Sequence, residues 1–358
     1  LHLPAHGANP NQLYERLAVK QPETWIDFSE NTNPYGIPSF LTEEWEKYQT
    51  LIGGYPEPHS ETLVEALAKQ HQVKKEHVLV GNGATECIYL LAHSFSRKKV
   101  LIVEPTFTEY KKALEQYDCQ VDAFVLREEE GFQCAFDKLA KSAEEYDVVF
   151  ICNPNNPTGV LYEFHSFLEF IQKMNEQKKY IVIDEAFIDF VQNGTSMISF
   201  CHFFNYLIIL RSLTKIFHLA GVRIGYLVST NLQTIAHIKQ WQQPWSVNAL
   251  AQQLALRCLD QSSFIHHIQD CIAQERLKMT SFLTEYHYPF IPSETNFLLI
   301  KSPPGQSTES LFYFLLKEGI VPRHTYNFQT LQGEYLRIAI KRPEENEQLK
   351  SALRSFIS

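Results

Sequence analysis

The sequence has no apolar run near the roughly 18–20 residues needed to span a bilayer. Its longest are short pieces such as Val148 to Cys152 and Leu207 to Leu210. It has no excess of basic charge: 32 Lys and Arg stand against 41 Asp and Glu over 358 residues, a formal net charge of -9. That balance excludes a general nucleic-acid binder, which needs a basic face. Nor are its seven cysteines, Cys87, Cys119, Cys134, Cys152, Cys201, Cys258 and Cys271, ever spaced as Cys-x-x-Cys. They are scattered and odd in number, so no zinc or other metal site is expected, and a reducing compartment, the cytoplasm, is the expected setting. Leu1 to Pro10 holds no basic stretch followed by an apolar one, so no signal peptide is expected. There is no internal repeat and no low-complexity stretch. With 44% apolar residues the composition is that of a globular protein, which excludes disorder, collagen and coiled coil.

What recurs is a short apolar run followed by an amphipathic segment. His77 to Gly81, Lys99 to Glu104, Gln120 to Leu126, Asp147 to Cys152, Tyr180 to Asp184, Tyr206 to Leu210 and Val222 to Val228 read as strands, with helices at Thr85 to Phe95 and Thr108 to Tyr117. Runs that are apolar throughout suit strands buried on both faces. Their alternation with helices predicts an α/β fold with a mostly parallel sheet covered by helices. After residue 245 the pattern changes. Val247 to Leu259, Phe264 to Glu285 and Glu309 to Lys317 read as helices, and Asn296 to Lys301, Gly319 to Arg323 and Tyr335 to Ile340 as strands. The expected division is an irregular arm over 1–40 that reaches the active site and the small domain, a large domain over 41–245, and a smaller α+β domain over 246–358.

In an open α/β sheet, ligands bind beyond the C-terminal ends of the strands. Gly81-Asn82-Gly83-Ala84-Thr85-Glu86 follows a strand and opens a helix, where free N–H groups favour phosphate. A third glycine is missing where Glu86 stands, which disfavours a dinucleotide; a plain tight turn explains the segment equally well. Asp184 ends a buried strand, where an acid is costly unless a cation meets it. It suits a carboxylate holding a pyridinium nitrogen, or a helix cap or structural ion pair. Arg211-Ser212-Leu213-Thr214-Lys215, with Arg223 beyond, offers hydroxyls and a guanidinium for a phosphate. It also offers a lysine whose pKa a dry, cationic setting would lower, fitting it for Schiff-base chemistry; an exposed loop lysine is the ordinary alternative. Together with Asn156, placed after another strand to bond a phenolic oxygen, these roles fit one cofactor, pyridoxal 5′-phosphate.

Taken in order, Gly83-Ala84-Thr85-Glu86, Pro105-Thr106-Phe107, Asn155-Asn156-Pro157-Thr158-Gly159, Asp184-Glu185-Ala186-Phe187, Ser212-Leu213-Thr214-Lys215 and the Arg of Tyr335-Leu336-Arg337-Ile338 resemble the motifs of the class I/II aminotransferase superfamily, fold-type I pyridoxal-phosphate enzymes. The resemblance covers nearly the whole chain. It implies a mostly parallel seven-stranded sheet sandwiched by helices, plus the small C-terminal domain. It also implies that Lys215 forms the Schiff base and shuttles the proton, and that Asp184 pairs with the ring nitrogen. Asn156 would bond O3′ and Phe107 would stack on the ring. Ala84, Thr85, Ser212, Thr214 and Arg223 would hold the phosphate, and Arg337 would bind the substrate carboxylate. Tyr55, in Gly54-Tyr55-Pro56-Glu57-Pro58, resembles the tyrosine that reaches the partner subunit's phosphate, which implies a homodimer with shared active sites.

Two branches resemble it best, histidinol-phosphate aminotransferases and the threonine-phosphate decarboxylases of cobalamin biosynthesis. His6-Gly7-Ala8-Asn9, the Asp27-Phe28-Ser29-Glu30-Asn31-Thr32-Asn33-Pro34 segment, Phe187 where the aminotransferase branch usually has a tyrosine, and Gln243-Pro244-Trp245-Ser246-Val247-Asn248 favour the second. The implied substrate is a small phosphorylated amino acid, with His6, Gly7, Asn31, Arg323 and Arg337 at its end of the site. The chain departs from the decarboxylase pattern at Ala8, where a second glycine is usual. It departs again at His324-Thr325-Tyr326-Asn327-Phe328, where Asp-Cys-Ser-Asn-Phe is more common, so serine phosphate stands beside threonine phosphate. Tyr110 is expected only to pack within the helix that follows Phe107.

Overall fold

The computed structural model describes residues 3–4 and 6–357. Thirteen strands occur among them: β1 (Ile26–Asp27), β2 (Val78–Gly81), β3 (Lys99–Glu104), β4 (Gln120–Val125), β5 (Val148–Cys152), β6 (Tyr180–Asp184), β7 (Leu207–Ser212), β8 (Gly225–Val228), β9 (Phe290–Ile291), β10 (Phe297–Ile300), β11 (Ile320–Val321), β12 (Arg323–His324) and β13 (Leu336–Ala339). Seven form the large sheet, in the order β2-β8-β7-β6-β5-β3-β4. The strand β8 runs antiparallel to β2 and β7, and the remaining pairs are parallel. The alternating side chains feed two cores. Val149, Ile151, Ile181, Ile183, Leu207 and Ile209 point to one face, and Val148, Phe150, Val182, Ile208 and Leu210 to the other, all essentially inaccessible to water. This two-sided burial is why these strands read as unbroken apolar runs. At roughly 1.5–3 kcal/mol for each buried large aliphatic side chain, the sheet rigidly fixes the ends from which the functional residues project.

The strands β4 and β5 lie on opposite sides of β3, so the strand order reverses there and opens a crevice at the C-terminal ends. A four-stranded antiparallel sheet, β12-β13-β10-β9, forms from the C-terminal part of the chain. The pair β1 and β11 ties the N-terminal segment to that part.

Three expectations need correction. The first forty residues are not irregular throughout. They contain the helix Pro10–Leu17, begun by a proline that suits a first helical turn, and β1. The run 222–228 is a strand only from Gly225, because Arg223 adopts a left-handed conformation (φ 61°) that breaks the extended chain. The run 319–323 is not one strand. Pro322, lacking an N–H, separates β11 from β12, and the two pieces join different sheets.

Candidate active site

One cavity of about 410 Å³ gathers the strand ends. At one side β2 leads into the helix Gly83–Ser94, whose N-cap Asn82 offers no side-chain cap and whose first-turn residues Ala84 and Thr85 line the cavity. The approach here is tight. A Cβ on Gly83 (φ +78°) would come within 2.6 Å of Arg223 Nη2, and one on Gly225 within 2.4 Å of the Ala84 nitrogen. The buried hydroxyls of Ser212 and Thr214 lie 2.8 Å apart at the end of β7. Arg223, exposed at the rim, donates Nη1 to the Ala220 carbonyl at 3.1 Å. Ala84, Thr85, Ser212, Thr214 and Arg223 all line the cavity.

Asp184, at the end of β6, is 5% exposed. Burial raises its carboxyl pKa. The hydrogen bonds from Tyr110 and the Ala186 N–H, and the charge of Lys215, act in the opposite direction. Lys215 is half-buried in the wall, and its amine is pushed down to about 8 by burial and by the charges of Arg337 and Arg223, against the influence of Glu30 and Asp184. Phe107 follows β3 and meets Tyr110 edge-on, with ring centroids 5.6 Å apart. The loop after β5 is held by its other asparagines. Asn155 Nδ2 donates to the Pro105 carbonyl at 2.8 Å and to Thr158 Oγ1 at 2.9 Å, and Asn153 Oδ1 accepts from the Tyr162 N–H at 3.0 Å. That leaves Asn156 to the cavity, where its Oδ1 accepts from Arg337 Nη1.

At the far end, Arg323 and Arg337 stand directly opposite each other across β12 and β13. Both are buried, at 4% and 6% exposure. Burial pushes Arg337 down to about 10, and burial with the charge of Arg337 pushes Arg323 down to about 9. Arg337 Nη2 donates to the Ser29 carbonyl at 2.8 Å, and Arg323 Nη2 to Asn327 Oδ1 at 2.6 Å. His324, pushed down to about 3 by burial and by Arg323, is neutral, with Nε2 2.8 Å from Arg323 Nη1.

The N-terminal segment closes the same end. His6 Nε2 is 3.0 Å from Glu109 Oε1, which also meets Lys112 Nζ at 2.7 Å. Gly7 packs so closely that a Cβ would fall 2.8 Å from the Ser29 carbonyl oxygen. Ala8 donates its N–H to Ser29 Oγ at 2.8 Å from a left-handed conformation (φ 60°), one that glycine adopts more readily than alanine. Asn31 is buried at the cavity wall, and its carbonyl accepts from Asn296 Nδ2 at 2.9 Å.

The cavity thus brings together His6, Gly7, Asn31, Ala84, Thr85, Phe107, Asn156, Asp184, Ser212, Thr214, Lys215, Arg223, Arg323 and Arg337. It does not include Tyr55, which is 91% exposed with its ring against Trp245. Sequence reasoning missed Tyr110, Glu109 and Ser29 as wall residues. The available signal for Tyr110 was its place three residues past Phe107, at the start of the helix that follows a buried strand.

A mostly parallel seven-stranded sheet, with a small antiparallel C-terminal sheet beside it, is the architecture of fold-type I pyridoxal-phosphate enzymes. Residues 23–353 match the model of aminotransferase class I and II, and the chain belongs to that family, whose enzymes depend on pyridoxal 5′-phosphate. It is 32% identical over 355 residues to a threonine-phosphate decarboxylase of Salmonella typhimurium, covering 99% of this chain and 97% of the relative. It is also 32% identical over 335 residues to a histidinol-phosphate aminotransferase of Pyrococcus furiosus, covering 93% and 92%. The solved histidinol-phosphate aminotransferase of Clostridium acetobutylicum superposes with a TM-score of 0.86 at 31% identity, covering 92% of this chain and 98% of that one. The residues present fit the cofactor. Ala84 and Thr85 at a helix start, the hydroxyls of Ser212 and Thr214 and the guanidinium of Arg223 line one side of the cavity and suit a phosphate, and a buried carboxylate and a lysine of lowered basicity share the same cavity.

Proposed function

We propose that this protein is a carboxy-lyase that removes the carboxylate of a phosphorylated hydroxy-amino acid, converting L-threonine O-3-phosphate, or its serine counterpart, to an amino-alcohol phosphate and CO₂. The observation that carries this reading is the pair Arg323 and Arg337, two buried arginines at directly opposed positions of β12 and β13 that both line the cavity. Like charges so placed repel and are costly to bury. A ligand bearing both a carboxylate and a phosphate offsets both costs, and threonine phosphate carries the two.

When bound, pyridoxal phosphate supplies an aldehyde that takes up the substrate amine and a protonated ring that accepts the electron pair of a broken Cα bond. In this reading Ala84, Thr85, Ser212, Thr214 and Arg223 hold its phosphate, Asp184 its ring nitrogen, Asn156 its O3′, and Phe107 its ring face. Arg337 holds the substrate carboxylate. Arg323, with His6, Gly7 and Asn31, holds the substrate phosphate. Anchoring both ends fixes the torsion about Cα, and that torsion selects which bond breaks. Lys215, whose amine sits near 8, exchanges protons readily near neutral pH and delivers one to Cα after CO₂ has left. The large and small domains at 41–245 and 246–358, a cytoplasmic setting and a homodimer with Tyr55 reaching the partner's site belong to the same proposal.

A second reading, an aminotransferase for histidinol phosphate, is favoured by the equal identity to the Pyrococcus relative. Phe187 weighs against it. It lines the cavity without a hydroxyl, its ring packed edge-on against Phe297 at 5.0 Å. The test is a product assay by mass spectrometry on the cofactor-loaded enzyme. O-phospho-L-threonine and O-phospho-L-serine are supplied without any keto acid, and histidinol phosphate is supplied with 2-oxoglutarate. Release of CO₂ and an amino-alcohol phosphate in the first arm supports the decarboxylase. Glutamate formed in the second arm, with no CO₂ in the first, replaces it with the aminotransferase.

A further inference from the structure

The carboxylate of Asp184 has a partner that the reaction as described does not use. Tyr110 donates its phenolic O–H to Asp184 Oδ2 at 2.7 Å, while the Ala186 N–H takes Oδ1 at 2.9 Å. The contact spans the sheet. Tyr110 enters from the first turn of the helix Glu109–Gln116 that follows β3, Asp184 ends β6, and β5 lies between them. The tyrosine is 1% exposed and otherwise embedded in apolar packing, with Phe150 of β5 at 5.7 Å and Phe107 edge-on at 5.6 Å. A phenylalanine would fill this space. The hydroxyl that distinguishes tyrosine is spent on the carboxylate.

We propose that Tyr110 is a positioning residue for the cofactor: its O–H fixes the Asp184 carboxylate and stabilises the carboxylate as an anion, so that a proton shared with a pyridine nitrogen stays on the nitrogen. In a water-poor site, pyridinium with carboxylate competes with the neutral pair of pyridine and carboxylic acid, because burial penalises both charges. A hydrogen bond given to the anion tips that competition toward the ion pair. The phenol is suited to give it. Burial and the Asp184 charge hold its own pKa well above the ordinary tyrosine value, so it stays a donor and does not compete as a base. The ring then withdraws electrons fully, whichever Cα bond is broken. This inference rests on the cofactor and is independent of the substrate, so it stands whether the product assay reports a decarboxylase or an aminotransferase.

The test loads wild type and Tyr110→Phe with cofactor labelled with ¹⁵N at the ring nitrogen. In the variant the nitrogen resonance is expected to move from the pyridinium toward the neutral-pyridine position. The value of kcat is expected to fall about 10–100-fold, the worth of one hydrogen bond to a charged group, with KM unchanged. Replacing Tyr110 with 3-fluorotyrosine, which keeps the ring and is a stronger donor, is expected to hold the resonance at the pyridinium position and to retain kcat. An unchanged resonance in Tyr110→Phe overturns the proposal whatever happens to activity. So does a 3-fluorotyrosine protein that behaves like the phenylalanine variant, and this arm decides the matter if Tyr110→Phe folds poorly.

Discussion

At Lys215, burial and the charges of Arg337 and Arg223 favour the neutral amine, while Glu30 and Asp184 favour the ammonium. The first set wins and the amine sits near 8. Only the neutral amine attacks an aldehyde. The rate of cofactor uptake by the cofactor-free protein should therefore rise about tenfold per pH unit below about 8 and level off above it. Stopped-flow absorbance follows this directly, and a rate still climbing at pH 10 would show an ordinary lysine. Lys215→Ala should lose the visible absorbance of covalently held cofactor and lower turnover by about 10²–10⁴-fold. At Arg323 the same electrostatics gives a split outcome. Arg323→Gln should raise KM for the phosphorylated substrate about 10–100-fold. The Tm of the ligand-free protein should hold or rise, because a buried charge facing Arg337 has been removed. A lower Tm with KM unchanged would make Arg323 a structural residue.

Among elements, β8 has the narrowest tolerance. Gly225 lies where a Cβ would meet the Ala84 nitrogen at 2.4 Å and the Arg211 carbonyl at 2.9 Å, both backbone atoms. Gly225→Ala should push β8 away from the start of the helix Gly83–Ser94, destabilising the fold by about 1–3 kcal/mol and weakening cofactor binding. Thermal melts with and without cofactor check this, and equal Tm values for variant and wild type would refute it. The elements most legible in the sequence were strands such as β5, β6 and β7, since burial on both faces removes polar residues and leaves Pro, Gly and Asn to mark their ends. The break at Pro322 was visible as a residue but not as a change of sheet, because pairing with β1, almost 300 residues earlier, is set by tertiary packing. The same limit hid the Tyr110 contact with Asp184, 74 residues away, and the register that sets Arg323 against Arg337. Motif residues near strand ends were legible because they adjoin the strands. Contacts made across the sheet left no local pattern to read.

At the scale of the whole molecule, one surface cluster of large apolar side chains joins two distant stretches of chain. Ile52 is 82% exposed, Tyr55 91% and Trp245 51%. The Tyr55 and Trp245 rings lie 5.8 Å apart, and the Trp245 N–H donates to the Pro58 carbonyl at 2.8 Å. An apolar cluster of this kind on a folded surface marks an interface. The proposed homodimer covers it with a second copy of the chain. Two substitutions then separate association from cofactor contact. Trp245→Glu places a charge in the interface and should shift sedimentation from dimer to monomer, with cofactor affinity falling alongside. Tyr55→Phe keeps the apolar ring and should remain dimeric, yet lose about 10–100-fold in cofactor affinity, the worth of one hydrogen bond to a charged phosphate, because in the proposed dimer the lost hydroxyl is the group that would reach across. If wild type sediments as a monomer that binds cofactor at full strength, the shared-site arrangement fails. If Tyr55→Phe binds cofactor as wild type does while Trp245→Glu dissociates, the dimer stands and Tyr55 is only part of its apolar surface.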